Sequence, residues 1–151
     1  MGWEYTKWLL PALLALILLS AGIEDARRRT IGNGKNAAIA LIAPLWWLAQ
    51  GLSPWPDMAG QIALAAIVFA LFCGVFAIGA MGGGDVKLIG ALALWLPLQP
   101  LMWMLVAMSI AGGAITAVML IERTVKKTPA AIEVPYGVAI AAAALLALPR
   151  T

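Results

Sequence analysis

The chain has 151 residues, 64% of them hydrophobic and only 11% charged, with a mean hydropathy of +0.97; this excludes an ordinary soluble domain and reads as a polytopic membrane protein. One cysteine, Cys73 in an apolar run, and no histidine exclude a disulfide framework, a cysteine-rich zinc site and imidazole ligation within one chain. The formal charge of +3 is accounted for by topology and lipid headgroups, so no nucleic acid, metal or cofactor is expected, and any chemistry must use carboxylates, lysines, hydroxyls or backbone.

Runs of roughly 20 apolar residues can cross a bilayer, and their number here predicts an all-α bundle of six transmembrane helices forming one domain, residues 1–151. The first span runs from about Trp8 to Ile23 and ends in the polar loop "EDARRRTIGNGKN". A second covers about Ala37 to Leu52, with Pro44 inside it and "SPWPD" closing it. The third, from about Met58 to Met81, runs into "GAMGGGDVKLIG". A short helix from Asp85 to about Leu98 breaks at "PLQP" and resumes from Leu101 to Ile121. The loop "ERTVKKTPAAIE" follows, and "VPYGVAIAAAALLALP" is the last span. Proline and glycine clusters mark the breaks.

Six crossings put alternate loops on opposite sides. Arg27, Arg28, Arg29, Lys35, Lys87, Arg123, Lys126 and Lys127 fall on one side, against Lys7 and Arg150 on the other. The positive-inside rule therefore places the basic loops in the cytoplasm and both termini outside. Trp3, Trp8, Trp46, Trp47, Trp55, Trp95 and Trp103 all map to outer ends of spans, where indoles favour the headgroup region. Glu4 offsets Lys7 ahead of the first span and three arginines follow it, which argues against a cleaved signal peptide.

Acids at the ends of membrane helices read as functional when they face the bundle interior. The available ones are Asp25, Asp57, Asp85, Glu4, Glu24, Glu122 and Glu133. Asp57 and Glu4, on the outer side, read as a solvated loop acid or a helix cap. Asp25 ends the first span and Asp85 begins the fourth at the same inner face. Two carboxylates close enough to share a proton suggest the aspartic-protease arrangement, one activating water and the other protonating the substrate carbonyl. The amino end of a helix suits negative charge, which assigns Asp85 the base and Asp25 the acid. Gly82, Gly83 and Gly84 then give clearance for a substrate backbone and permit a sharp turn.

Structural readings stand beside these. Gly79 and Gly83 have the spacing of a helix-packing seam, Asp85 that of an amino-terminal cap, and Asp25 with Glu24 beside three arginines that of a surface charge cluster. "GGGDVK" lacks the spacing of a phosphate-binding loop. Ser109, Gly113 and Ala117 form a small-residue stripe suited to close packing of another helix.

"MGGGDVKLIGALALWLP", with "EDARRRTIGN" before it and "VPYGVAIA" after it, resembles the type IV prepilin peptidase family, and most of all its short members serving Tad/Flp-type pili. The resemblance covers essentially the whole chain. It implies a six-span intramembrane aspartic protease of the Gly-x-Gly-Asp class in the bacterial inner membrane. Such an enzyme cuts the basic leader of prepilins or pseudopilins at the cytoplasmic face, alongside a pilus or secretion apparatus. By position, Asp25 and Asp85 match the catalytic pair and Gly82 and Gly84 the motif glycines. Lys87 matches the basic residue that follows, and Pro135, Tyr136 and Gly137 the turn opening the last helix.

Where the family commonly has Ile-Pro-Asn, this chain has Ile31, Gly32 and Asn33, which loosens the loop and the role of Asn33 as its anchor. The cysteine-bearing domain of the long members has no counterpart here, which argues against N-methylation. Lys87, two residues from Asp85, belongs on another helix face, setting depth at the lipid boundary or meeting substrate. The rival readings are a preflagellin-type peptidase using the same dyad and a proton-coupled transporter or assembly subunit.

Overall fold

The computed structural model describes residues 2–127 and 134–148; Glu133 and Arg150, noted above, lie outside the described residues. Among the described residues the fold is all-helical, with α1 at Gly2–Arg28, α2 at Asn33–Ala49, α3 at Ala59–Ala77, α4 at Gly83–Ala93, α5 at Leu98–Lys126 and α6 at Tyr136–Ala147. A π-type turn, Pro54–Met58, leads into α3. By length and composition three helical stretches can cross a membrane: Gly2–Arg28, Pro54–Ala77 and Leu98–Lys126. They alternate along the chain with the shorter α2, α4 and α6.

Long and short helices have different jobs. α1 packs on α2 and α6, and α4 packs on α2 and α6, so these four close a ring; α3 joins it through α4, and α5 through α6. The two short central helices are buried nearly all round, as Val86 and Leu88–Ala93 on α4 and Ala139, Ile140, Ala141, Ala143 and Ala144 on α6 show. A helix apolar on every side belongs in such a position. The peripheral helices bury one stripe each, Leu101, Met104, Met108 and Gly112 on α5, and leave large apolar residues such as Leu71 and Ile110 outermost. That outer surface has a lipid-facing composition.

α1 does not stop at Ile23. It continues through Glu24, Asp25 and Arg27 to Arg28, because the stripe Leu14, Leu18, Ala21 and Asp25 is buried along its whole length at helical spacing. Arg29, with a left-handed φ of 55°, ends it. α2 begins at Asn33, earlier than the apolar run suggests. α4 ends at Ala93 and α5 starts at Leu98 with Pro100 in its first turn, where a missing N–H costs nothing. The break expected at "PLQP" therefore falls slightly earlier, at Leu94–Pro97, and the rest of that motif opens α5.

Three tryptophans assigned to an outer belt are core residues. Trp46, Trp47 and Trp95 are buried, whereas Trp3, Trp8, Trp55 and Trp103 are exposed. Trp46 and Trp95 stack with ring centroids 5.6 Å apart. Trp47 Nε1 donates to the Leu94 carbonyl at 2.7 Å, and Gln61 Nε2 donates to those of Ala93 (2.6 Å) and Leu96 (2.7 Å). The last carbonyls of a helix have no partner within it, and at the buried end of α4 side chains from α2 and α3 supply them. Trp95 Nε1 in turn donates to the Ile39 carbonyl at 2.8 Å.

The seam and stripe readings are also corrected. Gly79 lies beyond α3 with φ 75°, and the bonds Gly79 N–H to Phe76 and Ala80 N–H to Val75 are those of a helix end closed by a left-handed residue. Ser109, Gly113 and Ala117 face outward; α5 packs inward through Gly112, where an added Cβ would meet the Tyr136 ring at 2.6 Å.

Candidate active site

Asp25 reaches the interior as the last member of the buried α1 stripe and is 4% exposed. Its Oδ2 accepts the backbone N–H of Val138 at 3.2 Å, a donor shared with the Pro135 carbonyl at 3.1 Å. Pro135 opens α6 and offers no side-chain cap, so a carboxylate from another helix takes that place. The approach depends on Gly137: a Cβ there would stand 2.7 Å from Asp25 Cγ and 2.7 Å from Ile31 Cδ1, well inside van der Waals contact.

Asp85 is the third residue of α4 and 9% exposed. Gly82, the residue before the helix, lies against its carboxylate, with an added Cβ 3.4 Å from Oδ2. The cap position itself is Gly82, which has no side chain to cap with. Both aspartates thus sit at a helix amino terminus, Asp85 at α4 and Asp25 at α6. A helix amino terminus therefore does not distinguish base from acid in this pair.

The two carboxylates line one cavity of about 650 Å³, together with Arg28, Arg29, Tyr136 and the Gly79–Gly82 turn. A polar chamber holding two acids from α1 and α4 and lined also by Arg28 and Arg29 can hold water and a polar backbone.

The motif glycines divide between tasks. Gly82 lines the cavity, whereas a Cβ on Gly83 would touch the Phe76 ring at 3.5 Å and one on Gly84 the Ile31 carbonyl at 3.4 Å. Both distances are ordinary van der Waals contacts, so Gly83 and Gly84 mark where α3 and the α1–α2 connection meet the start of α4 without needing to be glycine for space. Asn36 ties that junction, its Nδ2 donating to the Gly84 carbonyl at 3.2 Å.

Lys87 does lie on another face of α4. Its Nζ donates to Asn33 Oδ1 at 3.0 Å, and this pair borders a separate cavity. Glu24 is tied to the start of α2 and to the residue before it, through an ion pair to Lys35 at 2.6 Å and the Gly32 amide at 3.5 Å. Asp57 accepts the Ser53 N–H at 3.0 Å and hydroxyl at 2.8 Å, a capping role. Sequence reasoning missed Arg28 and Arg29 as site walls, having read them as topology signals; they follow Asp25 at the three- and four-residue spacing of one helix face. Asn36 and the Val138 amide were also missed, and both belong to contacts between distant segments.

A family model described as the type IV leader peptidase family matches residues 12–117, a stretch that contains both aspartates and the glycine turn. No curated protein and no solved structure matches the chain significantly.

Proposed function

The chain belongs to the type IV leader peptidase family, and from that premise we propose that it is an intramembrane aspartic endopeptidase cleaving the basic leader from type IV prepilins of the Tad/Flp kind, with Asp25 and Asp85 as the catalytic dyad. The observation that carries this reading is the convergence of the two aspartates, from distant parts of the sequence, on one polar cavity. One carboxylate takes a proton from a water that adds to the scissile carbonyl carbon, while the other gives its proton to the carbonyl oxygen. Collapse of the resulting gem-diol returns a proton to the leaving nitrogen and frees the new amino terminus.

The topology proposed with it is six crossings of the bacterial inner membrane, both termini outside, and the dyad near the cytoplasmic face. Support comes from the three long apolar helices and from the position of Arg28, Arg29, Lys35 and Lys87 at the aspartate end, as the positive-inside rule requires. Co-expression with a candidate prepilin tests the reading: wild type shortens the precursor, while Asp25→Asn and Asp85→Asn reach the membrane and leave it full length. Normal processing by either variant would remove the dyad. Cleavage only of a preflagellin would change the substrate, and proton-gradient-dependent flux without proteolysis would replace the enzyme with a transporter.

A further inference from the structure

Asp85 stands on a weak helix start. Gly82, Gly83 and Gly84 occupy the cap and the first two positions of α4, and no side chain caps the turn. Glycine gives up more backbone freedom than any other residue on entering a helix, and the first N–H groups of a helix have no partner within it. Such a turn frays unless something outside α4 holds it, and a frayed turn carries the Asp85 carboxylate out of line with Asp25.

The first turn of α2 supplies the hold. Asn36 Nδ2 donates to the Gly84 carbonyl at 3.2 Å, an oxygen of the very peptide unit that joins Gly84 to Asp85. Lys87 Nζ donates to Asn33 Oδ1 at 3.0 Å. Asn33 and Asn36 share a face of α2 at three-residue spacing, as do Gly84 and Lys87 on α4, so Asp85 falls between two points of attachment. The Lys87 bond is exposed, whereas Asn36 is 5% exposed and forms the buried attachment.

Stability alone does not explain an asparagine there. Its Oδ1 is buried and has no hydrogen-bond partner among the described residues, and flipping the amide would set that oxygen against the Gly84 carbonyl. A stranded acceptor is costly, and exchanging such a group for an apolar one of similar size is close to neutral or stabilising. The Gly84 carbonyl is not stranded by the exchange, because the N–H four residues further along α4 reaches it.

We infer that Asn36 is a positioning residue for Asp85: by holding the Gly84–Asp85 peptide against α2, it keeps the Asp85 carboxylate where it and Asp25 can act on one water. The inference rests on the dyad reading and adds to it a residue that does not itself line the aspartate cavity.

Asn36→Leu and Asn36→Ala both remove the donor, one filling the site and the other emptying it. Each is expected to lower kcat for prepilin cleavage about 10- to 100-fold with KM within about twofold of wild type, the pattern of a catalytic group slightly misplaced. The unfolding midpoint of Asn36→Leu in detergent should stay at or above that of wild type. Gln61→Leu, which acts on the opposite end of α4, should show the reverse, a lower midpoint with kcat near wild type. If either Asn36 variant keeps the wild-type kcat, or both lose stability as Gln61→Leu does, the positioning inference falls and the dyad stands. If Asp85→Asn still cuts, or wild type cuts no precursor, the dyad falls and the inference with it.

Discussion

The Oδ2 of Asp25 accepts the backbone N–H of Val138 at 3.2 Å, so a carboxylate on the first helix closes the open amino end of the last. The side chain thereby has a structural duty besides any catalytic one, and two substitutions separate the duties. Asn keeps an oxygen for the Val138 amide, so Asp25→Asn should remain folded with prepilin cleavage reduced at least ~10³-fold, within the range of a lost acid or base. Asp25→Ala loses the cap as well and should cost a further ~1–2 kcal/mol. Thermal unfolding in detergent, alongside the cleavage assay, checks this; equal midpoints for the two variants would show that the α6 contact carries no stability.

Gly137 should tolerate no side chain. A methyl group there would lie 2.7 Å from Asp25 Cγ and 2.7 Å from Ile31 Cδ1, and neither is the free end of a long flexible chain. Gly137→Ala is expected to push α6 away from α1, lowering stability by ~1–3 kcal/mol as overpacking does and abolishing processing. Gly113→Ala, on a face of α5 with nothing within 4 Å, should be neutral or slightly stabilising through helix propensity. Midpoints that moved together would contradict the proposed clash.

The caps of α4 offer a test of the fold apart from the site. Gln61 Nε2 serves two carbonyls, those of Ala93 and Leu96, and Gln61→Leu leaves both without that donor in a buried place. The expected loss is about 1–3 kcal/mol for each group stranded, seen as a lower unfolding midpoint. An unchanged midpoint would mean other donors replace the glutamine.

How far the sequence could be read follows from which interactions are local. Helix existence came from apolar runs and from glycine and proline punctuation, both local, and the two aspartates followed from where the runs stopped. The end of α1 was misplaced because Glu24–Arg29 looks like a loop by composition. The spacing of Leu14, Leu18, Ala21 and Asp25 carried the better signal, a buried stripe ending in an acid. On α5 two stripes are equally periodic, Ser109 with Gly113 and Ala117, and Leu101 with Met104, Met108 and Gly112; only tertiary packing decides which faces inward. Trp47 and Trp95 were read as lipid anchors because an indole N–H at a helix end serves a headgroup or a buried carbonyl equally well. The Asn36–Gly84 and Asp25–Val138 bonds join segments far apart in sequence, beyond the reach of any local pattern.

Lys87 should rank below the aspartates. It borders a separate cavity with its Nζ on Asn33 Oδ1 at 3.0 Å, outside the aspartate cavity. Lys87→Ala is expected to lower kcat/KM by about tenfold, mainly through KM, against the near-complete loss for either aspartate. Asn33→Ala should give a similar but smaller effect, and a double variant should be less than additive because the two residues share one interaction. A loss for Lys87→Ala equal to that of Asp85→Asn would overturn this order.

Gly32 is the point where the chain departs from the Ile-Pro-Asn of the family it resembles, and its backbone is already suited to proline. Gly32 precedes α2 with φ −63° and ψ 136°, inside the range that a pyrrolidine ring imposes. A Cβ there would come no nearer than 3.7 Å to Glu24 Oε1. The cost of Gly32→Pro is one long hydrogen bond, the Gly32 amide to Glu24 Oε2 at 3.5 Å, while the ion pair of Glu24 with Lys35 remains. Restricting the unfolded chain is worth about 0.4–1 kcal/mol where the native angles fit, so Gly32→Pro should raise the unfolding midpoint and leave prepilin cleavage unchanged. A lowered midpoint would mean that the Gly32 amide, and not Lys35, is what fixes Glu24 against the loop, and Glu24→Gln should then reproduce the loss.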